Sequence, residues 1–258
     1  MEMKGKIVEN LRRLEEQREI KILFACESGS RAWGFDSADS DYDVRFIYAH
    51  RLDWYLDLGA KKDTIEAVFP GDLDFSGWEL RKALELFRAS NFSIFEWLGS
   101  PITYMKDADF FGDLTALKPL YFNPRKVAFS YLSLAGKSFE KFAGGGKARL
   151  KKLLYTLRAL LACKWVLEYA TPPPTLFESL YKDANICESR LKAEIEKIVE
   201  SKRLAAELSE MEVPEKIADF IRGAQVELSK AVQEMSPPDS HSPEELRGLF
   251  RKVVLGWK

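Results

Sequence analysis

The sequence is poor in the residues that most often build metal and nucleophile sites. Its 258 residues include two histidines, His50 and His241, and three cysteines that stand far apart. So few histidines argue against a histidine-rich metal site and against a Ser-His-Asp triad. The three cysteines have no zinc-binding spacing and favour a reducing, cytoplasmic setting. Carboxylates remain as the candidate metal ligands, which favours Mg²⁺ or Mn²⁺.

The sequence also lacks long apolar runs and a strong excess of one charge. No apolar stretch reaches membrane-spanning length and the first residues lack the apolar core of a secretory signal, so we expect no membrane partner. The formal net charge is −1. Contact with nucleic acid would therefore have to come from a local basic patch. The length allows one large or two modest domains.

The most informative stretch covers residues 26–47, with the sequence CESGSRAWGFDSADSDYDVRFI. Strands are predicted on either side of its turn-rich middle, at residues 21–25 and 44–48. Residues i and i+2 of a strand share a face, so Asp41 and Asp43 would present two carboxylates side by side. Such a pair calls for a divalent cation. Gly29 and Ser30 would let main-chain N–H groups approach phosphate oxygens.

A third carboxylate is expected on a neighbouring strand. A strand is predicted at residues 64–69, followed by a Pro-Gly turn and the apolar-Asp-apolar triplet at residues 73–75. Asp74 in that triplet is the first candidate. Asp72 and Glu66 are rivals, although Asp72 lies in the turn, where an aspartate is favoured for its own hydrogen bonds.

These motifs together resemble the nucleotidyltransferase superfamily of DNA polymerase β. The segments that carry the resemblance are GSRAWGF (29–35), SDYDVR (40–45), DFSGWELRK (74–82), SN (90–91) and EWLGSP (96–101). They are similar to one branch, described as predicted nucleotidyltransferases or RNA-repair-pathway polymerase-β-like proteins. The resemblance implies that Asp41, Asp43 and Asp74 hold two metal ions and that Asp74 helps to deprotonate the acceptor. It also implies that Gly29 and Ser30 grip the triphosphate.

Five further residues are candidates for nucleotide binding. Arg31 would reach a phosphate or pair with a nearby aspartate, and Lys82 would contact a phosphate or remain a solvated charge. On a long helix predicted at residues 148–169, a string similar to one in the branch includes Lys152, Tyr155 and Arg158. Tyr155 would stack on a base while Lys152 and Arg158 bind the triphosphate. Alternatively, the three residues would form a solvated helix edge.

The predicted fold class is α+β. A polymerase-β-like catalytic domain, a small mixed sheet with helices, is expected at residues 1–120. A helical domain at residues 121–258 would close the nucleotide cleft. Asn91 and Glu96 are interpreted as structural residues, Asn91 as the cap of a short helix.

The predicted function is transfer of a nucleoside monophosphate from a nucleoside triphosphate to an acceptor hydroxyl, with two Mg²⁺ or Mn²⁺ ions. The resemblance implies an RNA end as the acceptor. One alternative is an antitoxin-like enzyme that transfers AMP to a protein hydroxyl. The other is a non-catalytic nucleotide- or RNA-binding scaffold, which the filled carboxylate positions disfavour.

Overall fold

The computed structural model describes residues 3–143, 146–204, 206, 209–236 and 241–257. The chain forms two compact units, and each is assembled from separate segments of sequence. The first unit comprises Met1–Ala32, Asp41–Phe122 and Ser240–Lys258, and the second comprises Trp33–Ser40 and Asn123–Asp239. The predicted division was a single boundary at residue 120. In the structure, Trp33–Ser40 belongs to the second unit and Ser240–Lys258 belongs to the first.

A five-stranded mixed sheet is the centre of the first unit. Its strands are β1 (Ile20–Ser28), β2 (Tyr42–His50), β3 (Thr64–Phe69), β4 (Leu73–Glu79) and β5 (Thr103–Lys106). The spatial order is β3-β4-β2-β1-β5. Strands β2 and β4 are parallel, whereas the other neighbouring pairs are antiparallel. The predicted mixed sheet is therefore confirmed.

Both faces of the sheet are covered, which explains why apolar side chains on its central strands are buried on both sides. On β2, Val44, Phe46 and Tyr48 pack on the face that helix α1 (Met3–Arg18) covers. Ile47 and Ala49 point to the other face, as the two-residue period of a strand requires.

The remaining helices of the first unit pack on this second face or join the strands. They are α2 (Gly29–Trp33), α3 (Leu52–Leu56), α4 (Leu80–Arg88), α5 (Phe92–Leu98), α6 (Ala108–Ala116), α7 (Lys118–Tyr121) and α13 (Glu244–Gly256). Helix α4 begins only at Leu80, because the alternating burial of β4 continues to Glu79. The Glu79 carboxylate then caps the helix by accepting the Arg81 N–H at 2.8 Å.

The second unit is helical, as predicted, apart from a two-stranded ribbon. It contains α8 (Pro124–Ala143), β6 (Lys147–Arg149), α9 (Leu150–Tyr169), α10 (Phe177–Tyr181), α11 (Ser189–Leu204), β7 (Glu210–Glu212) and α12 (Glu215–Glu234). The ribbon was not predicted because its three-residue strands carry no apolar alternation. Residues of opposite charge are directly opposite each other in its register instead, with Lys147 opposite Glu212 and Arg149 opposite Glu210, a favourable cross-strand arrangement.

The segment Trp33–Ser40 belongs to the helical unit although it lies between Ser30 and Asp41 in sequence. Lys202 of α11 is fully buried and its Nζ donates to the Ser37 hydroxyl at 2.5 Å. Arg203 donates to the Gly34 carbonyl at 2.7 Å. Helix α11 therefore anchors this connection. None of the helices within the described ranges is both long enough and apolar enough to cross a bilayer.

Candidate active site

Two carboxylates meet where the parallel strands β2 and β4 begin. Asp43 is directly opposite Asp74 in the register of the two strands. Arg45, two residues farther along the same face of β2, donates from Nη2 to Asp43 Oδ1 at 2.7 Å and to Asp74 Oδ2 at 2.9 Å. The guanidinium therefore relieves the repulsion between two like charges. All three side chains retain access to solvent, with exposed fractions of 23% for Asp43, 48% for Asp74 and 19% for Arg45.

Asp41 is placed differently from the other two predicted ligands. It is exposed and lies one residue before β2, so it does not belong to the paired part of the strand. Its main-chain carbonyl accepts from Arg31 Nε at 3.1 Å, and the Arg31 guanidinium lies 3.8 Å from the centre of the Tyr42 ring. Within the described part of the chain, no three acidic, histidine or cysteine side chains are grouped closely enough to hold a metal ion.

Neither of the rival third carboxylates stands opposite Asp43 in the strand register. Asp72 occupies the turn before β4 with a φ of 56°, and its main-chain carbonyl accepts the Tyr42 N–H at 2.8 Å. Glu66 is exposed on β3, opposite Ser76 rather than Asp74. The strand register thus favours Asp74 as the partner of Asp43.

Gly29 brings the main chain against the Asp43 carboxylate. It follows β1 directly, begins α2 and has a φ of +60°, a conformation that glycine adopts without strain. A Cβ atom at this position would collide with the Asp43 side chain. The next residue, Ser30, is 3% exposed. The predicted Gly-Ser turn is therefore a close neighbour of one carboxylate of the pair.

Glu27 is a part of the site that was not predicted. It is fully buried on β1, and its Oε1 accepts the Asp43 N–H at 2.7 Å. Its other oxygen accepts the Tyr104 hydroxyl. Burial, reinforced by the Asp43 carboxylate, raises the pKa of the Glu27 carboxyl to about 7, against the lowering effect of these hydrogen bonds. A single acidic residue inside the apolar run of β1 was the signal that could have identified it.

Lys82 lies at the opposite end of β4 from the carboxylate pair. Its Nζ donates to Asp63 Oδ1 and to Thr64 Oγ1, both at 2.9 Å. Thr64 is opposite Trp78, which is four residues from Asp74 along β4, a distance of about 13 Å. The structure therefore does not bring Lys82 to the predicted phosphate site.

Asn91 and Glu96, the two residues interpreted as structural, lie at the N-terminal cap and within α5. Asn91 caps this helix by accepting the Ser93 N–H at 3.0 Å, which confirms its predicted role. Glu96 is buried in the middle of the same helix, with 7% of its surface exposed.

The three candidates on α9 belong to the second unit, and each has a different environment. Lys152 is exposed. Tyr155 packs edge-on against Trp33 with ring centres 4.6 Å apart. Arg158 is 2% exposed, lies 4.2 Å from the centre of the Trp33 ring and donates from Nη2 to the Thr175 carbonyl at 3.3 Å. Arg158 is thus an interior residue, not part of a solvated helix edge.

Comparisons with known proteins complete this description. A solved structure, the nucleotidyltransferase-like protein from Exiguobacterium sibiricum 255-15, aligns with 97% of this chain and 88% of its own, with 13% identity and a TM-score of 0.32. The uncharacterized protein YcgL of Bacillus subtilis (strain 168) is 38% identical over 257 residues, which is 99% of this chain and 98% of that protein. Residues 3–252 match the model of the RNA repair pathway DNA polymerase beta family. The chain belongs to this family of polymerase-β-like nucleotidyltransferases.

Proposed function

We propose that this protein transfers a nucleoside monophosphate from a nucleoside triphosphate to the hydroxyl of an RNA end, in a metal-dependent reaction. The observation that carries the proposal is the pairing of Asp43 with Asp74 across two parallel strands, beside the main chain of Gly29. The choice of RNA as acceptor draws on the description of the family as one of an RNA repair pathway.

The donor set suits hard divalent cations such as Mg²⁺ or Mn²⁺. Asp43 and Asp74 direct carboxylate oxygens at one point, where the single positive charge of Arg45 offsets one of their two negative charges. These two residues would hold two ions together with Asp41, whose exposed side chain at the start of β2 would have to turn toward them. When bound, the ions would supply Lewis-acid stabilisation of the phosphate charges.

The protein's own groups would perform the remaining steps. Main-chain N–H groups of Gly29 and Ser30 would bind the β and γ phosphates, and Arg31 would add a positive charge there. Glu27 would hold the Asp43 main chain in place through its 2.7 Å hydrogen bond. This arrangement would present the α phosphate to the acceptor hydroxyl in a fixed orientation.

Asp74 is the better candidate for the general base because it is more exposed than Asp43. The acceptor oxygen would attack the α phosphorus while its proton passes to Asp74. The bond from the α phosphorus to the bridging oxygen would break, and pyrophosphate would leave. A role for Lys152, Tyr155 and Arg158 in holding the base, and closure of the cleft by the helical unit, stay predictions.

A second candidate, a non-catalytic nucleotide- or RNA-binding scaffold, is favoured by one observation. Asp41 does not join Asp43 and Asp74, and a guanidinium already occupies the point at which these two carboxylates meet. An enzyme that transfers AMP to a protein hydroxyl would use the same phosphate chemistry as the main proposal, so only the acceptor separates the two.

The test is to incubate the protein with each α-labelled nucleoside triphosphate, Mg²⁺, and either RNA or protein acceptors. We expect label on RNA, and a decrease of about a thousandfold for Asp43→Asn and Asp74→Asn, equivalent to about 4 kcal/mol of transition-state stabilisation. Asp72→Asn is the matched control, since it also removes a carboxylate next to β4 but leaves the main-chain carbonyl that accepts the Tyr42 N–H. Label on protein would identify the AMP-transferring enzyme, and no label on any acceptor would identify the scaffold.

A further inference from the structure

A groove with a strongly basic lining lies in the first unit, between α4 and α13. It has a volume of about 450 Å³. Four guanidinium groups and one carboxylate line it, namely Arg81, Arg88, Arg247, Arg251 and Glu85. The lining therefore has a charge of +3, four positive charges less one, in a chain whose net charge is −1. It is the kind of local basic patch that contact with nucleic acid requires in a chain of this composition.

One wall of the groove is a single stripe of α4. Arg81, Glu85 and Arg88 are spaced at i, i+4 and i+7, so they lie along one face of the helix. From Arg81 to Arg88 this stripe is about 10 Å long. It spans about three stacked nucleotides at about 3.4 Å each.

The other wall is formed by two arginines one turn apart on α13. Arg247 and Arg251 share Glu244 as an acidic neighbour, at 3.3 and 3.8 Å, and all three side chains are largely exposed. Exposed ion pairs of this kind contribute little to stability. A phosphate group can therefore compete for both guanidinium groups.

The floor of the groove is apolar and contains an aromatic ring. Leu84 and Leu246 are buried beneath it, and the half-buried Phe250 ring lies between the two walls. The Arg81 guanidinium lies 5.4 Å from the centre of that ring. Arginine beside an aromatic face is the combination on which bases of single strands stack.

We infer that this groove binds a single-stranded RNA through its phosphate backbone, with one base on Phe250. Guanidinium groups bind phosphates in bidentate fashion, and those of α4 and α13 face the same channel. The inference rests on the proposed function in that it identifies the strand as the acceptor RNA. RNA binding in the groove requires none of the carboxylates of the candidate active site. Each of the two proposals can therefore be contradicted without the other.

The test is fluorescence anisotropy with a labelled single-stranded RNA of about twelve nucleotides, titrated at several salt concentrations. We expect the double variant R247E/R251E to lose at least tenfold in affinity. The logarithmic salt slope should fall by about 1.4, since each phosphate contact with a single strand contributes about 0.7. The matched control is R12E/R13E on α1, which reverses two charges in the same unit, one of them an exposed partner of Glu9. Its affinity should stay within twofold of the wild-type value.

Two further variants keep the test decisive if R247E/R251E does not fold. Arg88→Gln, at the exposed end of α4, should lower RNA affinity at least threefold. Phe250→Leu keeps the apolar floor and should lower affinity at least fivefold with an unchanged salt slope, because only stacking is lost.

The inference is overturned if groove and control variants lose affinity equally, or if neither does. It is also overturned if tripolyphosphate, added at the same concentration of phosphate groups as the RNA, displaces the RNA. The site would then bind free anions rather than a strand. The Asp43→Asn protein should bind RNA as the wild-type protein does. In the wild-type protein, by contrast, intact RNA binding without nucleotide transfer would contradict the proposed function alone.

Discussion

The two ends of the parallel strands β2 and β4 carry acidic residues in contrasting environments. Where the strands begin, Asp43 and Asp74 face each other, partly exposed, and share one arginine. Toward the other end, Tyr48 is opposite Glu79, which is 2% exposed, accepts the Tyr55 hydroxyl at 2.5 Å and caps α4. A buried carboxylate that accepts hydrogen bonds from other groups of the protein stabilises the fold. A carboxylate paired with a cation that solvent can reach is able to exchange that cation for a ligand.

The cations at the two ends also differ in the groups that they contact. Lys82 is tied to Asp63 and Thr64 on the strand beside it. Arg45 instead bridges two carboxylates, Asp43 and Asp74, that face each other on neighbouring strands. The contrast indicates that the pairing of carboxylates, rather than the presence of a nearby cation, distinguishes the candidate active site from the rest of the sheet.

After the substitutions of the two carboxylates themselves, the largest effect on activity is expected from Gly29→Ala, which disrupts the carboxylate end only. The added methyl group would collide with Asp43 in a backbone conformation that alanine adopts with strain. We expect kcat/KM for nucleotide transfer to fall about a hundredfold, because small displacements at a reacting centre have effects of this size. Steady-state kinetics with labelled nucleoside triphosphate would measure it.

The matched control is Gly112→Ala on α6, where an added Cβ meets no atom within 4 Å. It should leave kcat/KM unchanged and stabilise the helix by up to about 1 kcal/mol. Wild-type activity in a folded Gly29→Ala protein would show that the contact between Gly29 and Asp43 has no catalytic importance.

A smaller effect, on the pH dependence of the free energy of unfolding, is expected from His50 at the far end of β2. Burial and the Lys61 charge lower its pKa from 6.5 to about 4, and its ring stacks on Trp54 at 4.1 Å. Below pH 6.5 the unfolded chain binds a proton that the folded protein does not, so stability falls as the pH falls from 6.5 toward 4. Allowing for solvent screening, this loss is about 1 kcal/mol between about pH 7 and pH 5.

His50→Phe retains a stacked ring and should remove that part of the pH dependence, as measured by urea unfolding at both pH values. His241→Phe, at an exposed position, is the control and should leave the slope unchanged. If His50→Phe unfolds with the same pH dependence as the wild-type protein, His50 does not cause it.

The smallest effect is expected from Lys82→Met, which removes a cation from the far end. The free energy of unfolding should fall by at most about 1 kcal/mol, because the ion pair with Asp63 is exposed. KM for the nucleotide should stay within twofold of the wild-type value. Arg31→Met removes a cation at the carboxylate end and should raise KM several-fold. A larger increase in KM for Lys82→Met than for Arg31→Met would reverse the comparison.

Much of the fold and part of the site could be predicted from local patterns. Apolar runs placed β1, β2 and β3, and the Gly-Ser and Asp-x-Asp motifs selected Gly29 and Asp43, which lie against each other beside the start of β2. The strand predictions succeeded because strand periodicity depends on neighbouring residues. The capping role of Asn91 succeeded for the same reason. The roles of Gly29 and Asp43 in binding stay predictions.

Other features depend on contacts between distant parts of the chain, so no local pattern contains them. The bridge from Arg45 to Asp74 requires the parallel register of β2 and β4. The hydrogen bond from the Asp43 main chain to Glu27 requires β1 beside β2. The basic groove requires α13, from the end of the chain, to pack against α4.

The sequence by itself determined which residue types stand on which strands, because side-chain alternation and glycine's freedom at positive φ act within a few residues. Only the tertiary structure decided which charges meet. Register and helix packing set the distances over which carboxylates and guanidinium groups interact, and these distances separate Asp74, beside Arg45, from Lys82 at the other end of the same strand.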